Sequence, residues 1–314
     1  MSPKKYIFRH MKHKIIITGS NGLLGQKLVN LFSKEDTFEV IAFSKGKNRN
    51  DTAKKYTYYT IDSTNATEVF QRIDAIKPHY IINSAAMTNV DQCEKEKEKC
   101  DLINVEAVKT LVKAAKKYNS HLIHISTDFI FDGKNGPYKE EDEPNPLSHY
   151  GRSKLESENL IKEAGINYTI LRTILVYGLV DNMPRKNIVL WIKDAIENKQ
   201  ILTIVDDQYR MPTFVDDLAN ACLLSIQQNA QGVFNISSSE LLSIYDMALE
   251  IAAAFELDSS YIKRIHTSQL NQVAKRPAVT GFNLEKSKKI LNFPVVPFAD
   301  RLQVFKNQLL TSKT

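Results

Sequence analysis

A strand, a glycine-rich turn and a helix follow one another in residues 14–33, and this order constrains the fold more than any other part of the chain. The β-branched run at 14–18 has the pattern of a buried parallel strand. The segment after the turn has helical spacing, with one apolar face made by Leu24, Leu28, Leu31 and Phe32. A strand that enters a helix through such a turn predicts one unit of a parallel α/β sheet.

The turn itself reads Gly-x-x-Gly-x-x-Gly over 19–25. Glycines let the backbone turn tightly and approach a pyrophosphate, and the free N–H groups at the helix start point at its charge. Three glycines could also serve only a tight loop with close packing, but the flanking strand and helix favour a nucleotide site. The predicted cofactor contacts in this turn are Gly19, Asn21, Gly22, Leu23 and Gly25.

The composition is that of an ordinary globular protein and argues against several classes. The 314 residues are 43% hydrophobic and 25% charged, with a net charge of +6. The densest charged run, at 94–99, alternates in sign, which is typical of a solvated helix face and disfavours nucleic-acid binding. Cys93, Cys100 and Cys222 make neither a disulfide framework nor a zinc spacing, and no run reaches membrane-spanning length. We therefore expect a cytoplasmic protein, with Met11 as an alternative natural start.

The end of the second predicted strand, 38–43, bears on cofactor choice. Enzymes that prefer NAD usually place an acid there to hold the ribose 2′-hydroxyl. Here the position is Ser44, followed by Lys45, Lys47 and Arg49. A hydroxyl and cations suit a 2′-phosphate, so the sequence predicts NADP(H) over NAD(H); an exposed basic loop is the alternative interpretation. Asp62, at the end of the third strand, could accept from the adenine amino group or cap the next helix.

Strands and helices alternate through the first half of the chain, which predicts an α/β fold with a Rossmann-type doubly wound parallel sheet. The predicted strands lie at 14–18, 38–43, 56–61, 80–82, 121–125, 166–171 and 232–236. The predicted helices lie at 66–76, about 94–117, 188–197, 214–227, 244–255 and 299–309. We assign 11–178 to an NADP-binding Rossmann domain to which 214–238 returns, and 179–213 and 239–314 to a smaller C-terminal α/β substrate-binding lobe.

Small side chains follow the fourth predicted strand, and a hydroxyl pair follows the fifth. Ser84, Ala85 and Ala86 leave room for a cofactor to lie across the sheet edge. Ser126-Thr127-Asp128 would lie beside the nicotinamide, and a polar loop from 131 to 148 then leads to the next helix.

That next helix begins near Tyr150, and Lys154 lies four residues later, on the same helical face. A tyrosine ordinarily titrates near ~10, and a nearby ammonium would lower that pKa. Thr127 could hydrogen-bond a substrate carbonyl while Tyr150 delivers a proton and hydride comes from a nicotinamide. Tyr150 and Lys154 are also predicted cofactor contacts, and Lys154 could hold the nicotinamide ribose. An ordinary surface pair of tyrosine and lysine is the alternative.

Together these motifs resemble the extended short-chain dehydrogenase/reductase family and, within it, the dTDP-4-dehydrorhamnose reductases. The motifs that carry the resemblance are the glycine turn, Asn83-Ser84-Ala85-Ala86-Met87-Thr88-Asn89-Val90-Asp91, Ser126-Thr127-Asp128-Phe129, Tyr150-Gly151-Arg152-Ser153-Lys154, Leu171-Arg172-Thr173 and Pro212-Thr213. The resemblance implies that Thr127, Tyr150 and Lys154 are catalytic. It also implies NADPH-dependent reduction of the 4-keto group of a nucleotide-linked deoxy sugar, with dTDP-4-dehydrorhamnose going to dTDP-L-rhamnose.

The candidate substrate contacts are Thr88, Val90, Asp128, Trp191 and Arg276. The guanidinium of Arg276 suits a pyrophosphate, although a surface salt bridge is the alternative. The only tryptophan, Trp191, could instead be packed. Arg210 stands where the family usually has glycine.

Two other functions stay open at this stage. Phe129 follows Asp128 where dehydratases place glutamate, so dehydration is disfavoured, whereas a nucleotide-sugar epimerase is not excluded. A non-catalytic regulatory subunit, like that of methionine adenosyltransferase, shares the reductase fold. Some relatives bridge dimers through magnesium with a glutamate after the third glycine; here that place is Gln26-Lys27, so we expect no metal and leave a homodimer open.

Overall fold

The computed structural model describes residues 12–183 and 185–311, so the proposed start at Met11 lies outside the described part. The strands are β1 (His13–Thr18), β2 (Phe38–Ser44), β3 (Thr57–Thr60), β4 (Tyr80–Asn83), β5 (His121–Thr127), β6 (Tyr168–Thr173), β7 (Val176–Tyr177), β8 (Leu202–Val205), β9 (Tyr209–Arg210), β10 (Thr213–Phe214), β11 (Gly232–Ile236), β12 (Leu242–Ser243), β13 (Ile262–Ile265) and β14 (Val279–Thr280). The helices are α1 (Leu23–Phe32), α2 (Ala66–Ile76), α3 (Val90–Lys95), α4 (Lys97–Asp101), α5 (Ala107–Tyr118), α6 (His149–Glu163), α7 (Ile188–Glu197), α8 (Val215–Gln227), α9 (Ile244–Ala254), α10 (Glu285–Leu291) and α11 (Phe298–Thr311).

Seven strands form one parallel sheet in the order β11-β6-β5-β4-β1-β2-β3. The chain runs outward from β1 to β3 and then returns to β4 on the other side of β1, so the strand order reverses between β1 and β4. In open α/β sheets, ligands bind at the carboxyl ends of the strands beside such a reversal. The predicted Rossmann-type doubly wound sheet is confirmed.

Both faces of the sheet are covered, which explains why β1 is apolar without interruption. Ile15 and Ile17 pack into the core beneath α1 and α8, while Ile16 faces the opposite core beneath α2 and α5. A third core lies outside the sheet, where α7 and α9 pack against β8 and β13 and contribute Val189, Ile192 and Met247. The boundaries proposed for the two domains stay a prediction.

The structure differs from the sequence prediction in the segment expected to be one helix at about 94–117. Glu96 leaves helical geometry (φ −119, ψ 58) and separates α3 from α4, and a π-helical turn at Leu102–Glu106 separates α4 from α5. Asn104, inside this turn, accepts from the backbone N–H of Met87 at 2.8 Å and donates to Ser153 Oγ at 3.0 Å. Through these buried contacts, Asn104 connects the π-helical turn to the β4–α3 connection and to α6.

No helix within 12–183 and 185–311 is both long and apolar enough to cross a membrane.

Candidate active site

The glycine turn joins β1 to α1 at the reversal of strand order. Gly19 adopts φ +67, and a Cβ there would lie 2.7 Å from the backbone nitrogen of Ala85, so the turn packs directly against the end of β4. A Cβ at Gly25 would lie 2.2 Å from the carbonyl oxygen of Gly19. The α1 N-cap, Gly22, provides no capping side chain, and the first turn of α1 carries no acid. A helix start built this way suits the pyrophosphate of a dinucleotide.

Asn21 shapes the neighbouring loop. Its amide nitrogen donates to the carbonyl oxygens of Lys45 (3.2 Å) and Lys47 (2.8 Å), and its Oδ1 accepts from the backbone N–H of Arg49 at 2.9 Å. The basic loop after β2 is therefore held against the glycine turn. This is where the 2′ position of an adenosine ribose is expected in this fold.

Ser44 ends β2 with no carboxylate in its place, as the sequence indicated. Lys45 Nζ forms an exposed salt bridge with Asp62 Oδ2 at 2.8 Å, and Thr64 donates to Asp62 Oδ1. The hydrogen bond from Lys45 is the main reason that the pKa of Asp62 is lowered, to about 2. The alternative that Asp62 caps the next helix is wrong, because the N-cap of α2 is Asn65, which accepts from the backbone N–H of Glu68. The role of Asp62 at the adenine stays a prediction.

The residues after β4 border the glycine turn. Ser84 donates its hydroxyl proton to the carbonyl oxygen of Thr18 at 2.6 Å, which ties the ends of β1 and β4 together. Ser84, Ala85 and Ala86 are half-buried, and two of the three carry only a methyl side chain. They lie between the glycine turn and the end of β5, because β4 separates β1 from β5 in the sheet.

Thr127 and Tyr150 come together at the end of β5. Thr127 is the last residue of the strand; its hydroxyl donates to Asp128 Oδ1 (3.1 Å) and accepts from the backbone N–H of Phe129 (3.2 Å). Tyr150 enters α6 one residue after its start and is buried, with its ring 5.9 Å from that of Phe129. Burial raises the pKa of Tyr150, and a hydrogen bond with Thr127 opposes that rise.

Lys154 lies one turn further along α6 and is buried at 2% exposure. Its Nζ donates to the carbonyl oxygen of Ile125 at 2.7 Å and lies 2.9 Å from His124 Nε2. Burial lowers the pKa of Lys154 to about 8, against the opposing effects of Glu158 and Cys100.

One electrostatic expectation from the sequence is not met in this structure. The sequence predicted that an ammonium on Lys154 lowers the pKa of Tyr150, whereas the pKa of Tyr150 is raised. Burial is the largest cause for both residues: it disfavours a phenolate and an ammonium alike. Tyr150 is therefore protonated across the neutral range, which is the form that a proton donor needs.

Asp128 is built into the site wall. It is buried, accepts a hydrogen bond from Thr280, and lies 3.8 Å from Arg210 Nε. The Arg210 guanidinium also donates to the carbonyl oxygens of Pro277 (2.8 Å) and Ala278 (3.1 Å). Burial raises the pKa of Asp128, and Arg210 opposes it. Arg210, which stands where the family usually has glycine, thus connects the 277–280 segment to Asp128 at the end of β5.

The other predicted substrate contacts fall in two places. Arg276 forms a forked salt bridge with Asp91 on α3 (Nη2–Oδ2 2.7 Å, Nη1–Oδ1 3.1 Å), so the salt-bridge alternative describes this structure. Thr88, just before α3, accepts from Arg185 Nη2 at 2.6 Å, and Val90 begins α3. Trp191 is 44% exposed on α7, so it is not packed in a core.

Sequence reasoning missed His124, Asn104 and Arg210 as parts of this site. His124 could have been found from the sequence. His124 and Ser126 are polar residues two positions apart in a mostly apolar strand, so their side chains lie on the same face of the sheet. That face meets α6. Asn104 lies in an irregular turn that helical periodicity cannot reveal.

Comparison with known proteins places this geometry in a family. The RmlD substrate binding domain model matches residues 12–311. A dTDP-4-dehydrorhamnose reductase of Aggregatibacter actinomycetemcomitans is 34% identical over 286 residues, which cover 87% of this chain and 91% of the relative. Methionine adenosyltransferase 2 subunit beta of Xenopus tropicalis is 32% identical over 283 residues, covering 88% of this chain and 82% of that protein.

Among solved structures, the dTDP-4-dehydrorhamnose reductase of Bacillus anthracis in complex with NADP superposes with a TM-score of 0.81 at 28% identity, covering 95% of this chain and 100% of that one. The family model spans nearly the whole chain. The glycine turn and Thr127 lie at the carboxyl ends of β1 and β5, Tyr150 is hydrogen-bonded with Thr127, and Lys154 lies one turn further along α6. This chain belongs to the RmlD substrate binding domain family, within the extended short-chain dehydrogenases/reductases.

Proposed function

We propose that this protein is an NADPH-dependent reductase of a nucleotide-linked 4-keto deoxy sugar, with dTDP-4-dehydrorhamnose as the expected substrate. The observation that carries the proposal is the hydrogen bond of Tyr150 with Thr127 at the end of β5, with Lys154 one turn along α6 and bonded to Ile125 of the same strand. The uncapped start of α1 lies at the same edge of the sheet, two strands away. The reductase relative and the NADP-bound neighbour support the same activity.

The cofactor would lie along residues that leave space and provide donors. The start of α1 would hold the pyrophosphate, Ser44 and Lys45 the 2′-phosphate, and Ser84 to Ala86 would border the nicotinamide half. When bound, NADPH supplies a hydride with its electron pair to the carbonyl carbon.

The chain's own residues then handle the carbonyl oxygen. Thr127, whose hydroxyl proton goes to Asp128 Oδ1 in this structure, would turn that proton to the carbonyl oxygen when substrate binds, and this bond strengthens as negative charge develops. Tyr150, kept protonated by its burial, donates its phenolic proton to the forming alkoxide, which yields the alcohol. Asp128, held by Arg210 and Thr280, accepts the Thr127 proton until the substrate carbonyl replaces it as the acceptor.

A turnover assay tests this proposal. NADPH supplied with dTDP-4-dehydrorhamnose is expected to be oxidised, as followed by the fall of its absorbance, with dTDP-L-rhamnose as the product. Omission of the sugar is the control for slow background oxidation. NADPH that stays unoxidised with this sugar and with a panel of other nucleotide-linked keto sugars would rule out the reductase.

A regulatory role is the second candidate, because a methionine adenosyltransferase subunit is about as similar to this chain as the reductase is. That alternative expects no turnover together with a stable complex with a methionine adenosyltransferase catalytic subunit, measured by size-exclusion chromatography. The buried Tyr150 beside Thr127 disfavours it, since a binding module does not require a proton donor there.

We also expect NADPH to be preferred over NADH, with NADH as the weaker alternative. The last residue of β2 is Ser44, and the next residue, Lys45, is a cation on an exposed loop. Placing a carboxylate there by Ser44→Asp should repel a 2′-phosphate and lower kcat/KM for NADPH by about 10–100-fold, the effect of one charge-assisted contact. Lys289→Ala, on the exposed face of α10, is the matched control. A wild-type preference for NADH would contradict the assignment.

A further inference from the structure

Four buried polar side chains connect β1 to α6 behind the reacting edge. They are Thr18 on β1, Asn83 on β4, His124 on β5 and Lys154 on α6, each 5% exposed or less. Thr18 Oγ1 lies 2.6 Å from Asn83 Oδ1, Asn83 Nδ2 lies 3.1 Å from His124 Nδ1, and His124 Nε2 lies 2.9 Å from Lys154 Nζ. The three contacts form one continuous line that ends on the lysine of the active site.

The orientation of the Asn83 amide is determined by its other neighbours. A separation of 2.6 Å is typical of a hydroxyl donating to oxygen and short for an N–H donor. The backbone N–H of Ala85 also points at Asn83 Oδ1, at 3.3 Å. Both contacts identify that atom as the oxygen, so the Asn83 nitrogen donates to His124 Nδ1.

This contact determines the tautomer of His124. A neutral imidazole has one donor and one acceptor nitrogen, so a ring that accepts at Nδ1 carries its proton on Nε2. An imidazolium would bring its Nδ1–H against the Asn83 amide donor. Burial is the main reason that the pKa of His124 lies well below its ordinary value, so the ring is neutral.

The Nε2 proton then faces Lys154. Ser157 Oγ is the other group near that nitrogen, at 3.2 Å, and its own hydroxyl proton goes to the carbonyl oxygen of Lys154. The shorter contact is the one to Lys154 Nζ. An ammonium has no lone pair and cannot accept, so this contact is a hydrogen bond only if Lys154 is a neutral amine.

We propose that His124 is a positioning residue for the reduction: held by Asn83 with its proton on Nε2, it donates to Lys154 Nζ and favours the uncharged amine. This inference rests on the proposed function for the part that Lys154 plays in catalysis. His124 would then set the pH below which Tyr150 has a cationic neighbour.

The other charged or titratable groups around Lys154 are few. On α6 the group is Glu158, which is paired with Arg172 on β6; on α4 the neighbouring group is Cys100. Glu158 and Cys100 favour the ammonium, whereas burial opposes it and gives a pKa of about 8. Loss of the His124 donor removes one interaction that favours the amine, so the titration of Lys154 should move to higher pH.

Histidine NMR on the full-length protein tests the tautomer without any substrate. In ¹⁵N-histidine spectra the His124 signals, identified by their loss in His124→Asn, should show a neutral ring with its proton on Nε2 at about pH 9. At that pH Lys154, whose pKa is about 8, is mostly an amine that can accept this proton. A proton on Nδ1, or a charged ring, at that pH would overturn the proposal. If His124→Asn does not fold, His124→Gln provides the assignment.

Lysine NMR tests the consequence. With ¹³Cε-lysine labelling, the Lys154 midpoint should rise by about one pH unit in His124→Asn, whose side chain is too short to reach Nζ while keeping the site polar. Ser157→Ala, which removes the other neighbour of His124 Nε2, should not raise it. An unchanged or lower midpoint in His124→Asn would overturn the proposal. Absence of sugar reduction by the wild-type protein would instead refute the proposed function, because neither spectrum depends on turnover.

Discussion

Tyr150→Phe is expected to reduce turnover of the keto sugar by about 10²–10⁴-fold, the range that a positioned general acid contributes. The substitution removes only the phenolic oxygen, and the ring that packs against Phe129 stays in place. The hydride still has its acceptor carbon, but no side chain then neutralises the alkoxide. The loss should appear in kcat measured at saturating NADPH, while the Kd of the cofactor changes by less than about threefold.

The matched control is Tyr118→Phe. It removes a tyrosine hydroxyl from the opposite edge of the sheet, where Tyr118 donates to Asp74. Turnover of this variant should equal that of the wild type. If Tyr150→Phe kept its turnover, the assignment of the proton donor would be wrong, whereas a parallel loss of cofactor affinity would indicate a disturbed fold.

The sequence was sufficient for the sheet and for the spacing of the catalytic groups. A β-branched run, a glycine turn and regular alternation are local signals, and they located every strand of the central sheet to within a few residues. The spacing of Tyr150 and Lys154 follows from one turn of helix, so their position on one face needed no tertiary information.

What the sequence could not give is the set of contacts that depend on burial or on distant segments. The pKa of Tyr150 was expected to fall and instead rises, because both it and Lys154 are removed from water. Arg276 was expected at a pyrophosphate and is paired with Asp91, a residue far away in the chain. In each case the outcome depends on which groups the fold brings alongside, and a periodic pattern contains no information about that.

The same helix face that carries Tyr150 and Lys154 continues to Glu158, one turn further on. Glu158 is fully buried and forms a forked pair with Arg172 on β6 (Nε–Oε1 3.0 Å, Nη2–Oε2 2.8 Å). Ser126, the residue before Thr127, donates to Glu158 Oε1 at 2.6 Å. The pair therefore fixes α6 to β5 and β6 next to the reacting groups, and the precision of the site depends on it.

Arg172→Met should lower the free energy of unfolding by about 3–5 kcal/mol, because it leaves a buried carboxylate without its main partner. Burial raises the pKa of Glu158, but the bonds from Arg172, Lys162 and Ser126 bring it below its ordinary value. A group whose pKa is depressed by folding stabilises the protein above its unfolded pKa and loses that contribution as the pH falls through its folded pKa. The deficit of Arg172→Met should therefore be present at neutral pH and shrink in acid. Urea titrations at several pH values measure both effects.

The double variant Arg172→Met with Glu158→Leu distinguishes the effect of losing the ion pair from the effect of losing side-chain packing. Because buried pairs replaced by apolar residues of similar volume are often neutral in stability, the double variant should recover most of the deficit of the single one. Lys288→Met breaks an exposed pair with Glu285 on α10 and should change stability by less than about 1 kcal/mol. If the double variant recovered stability but not turnover, Glu158 and Arg172 would serve to place α6 against β5 more than to hold the fold together. A double variant as unstable as the single one would show instead that packing around Arg172, and not its charge, supports the end of β5.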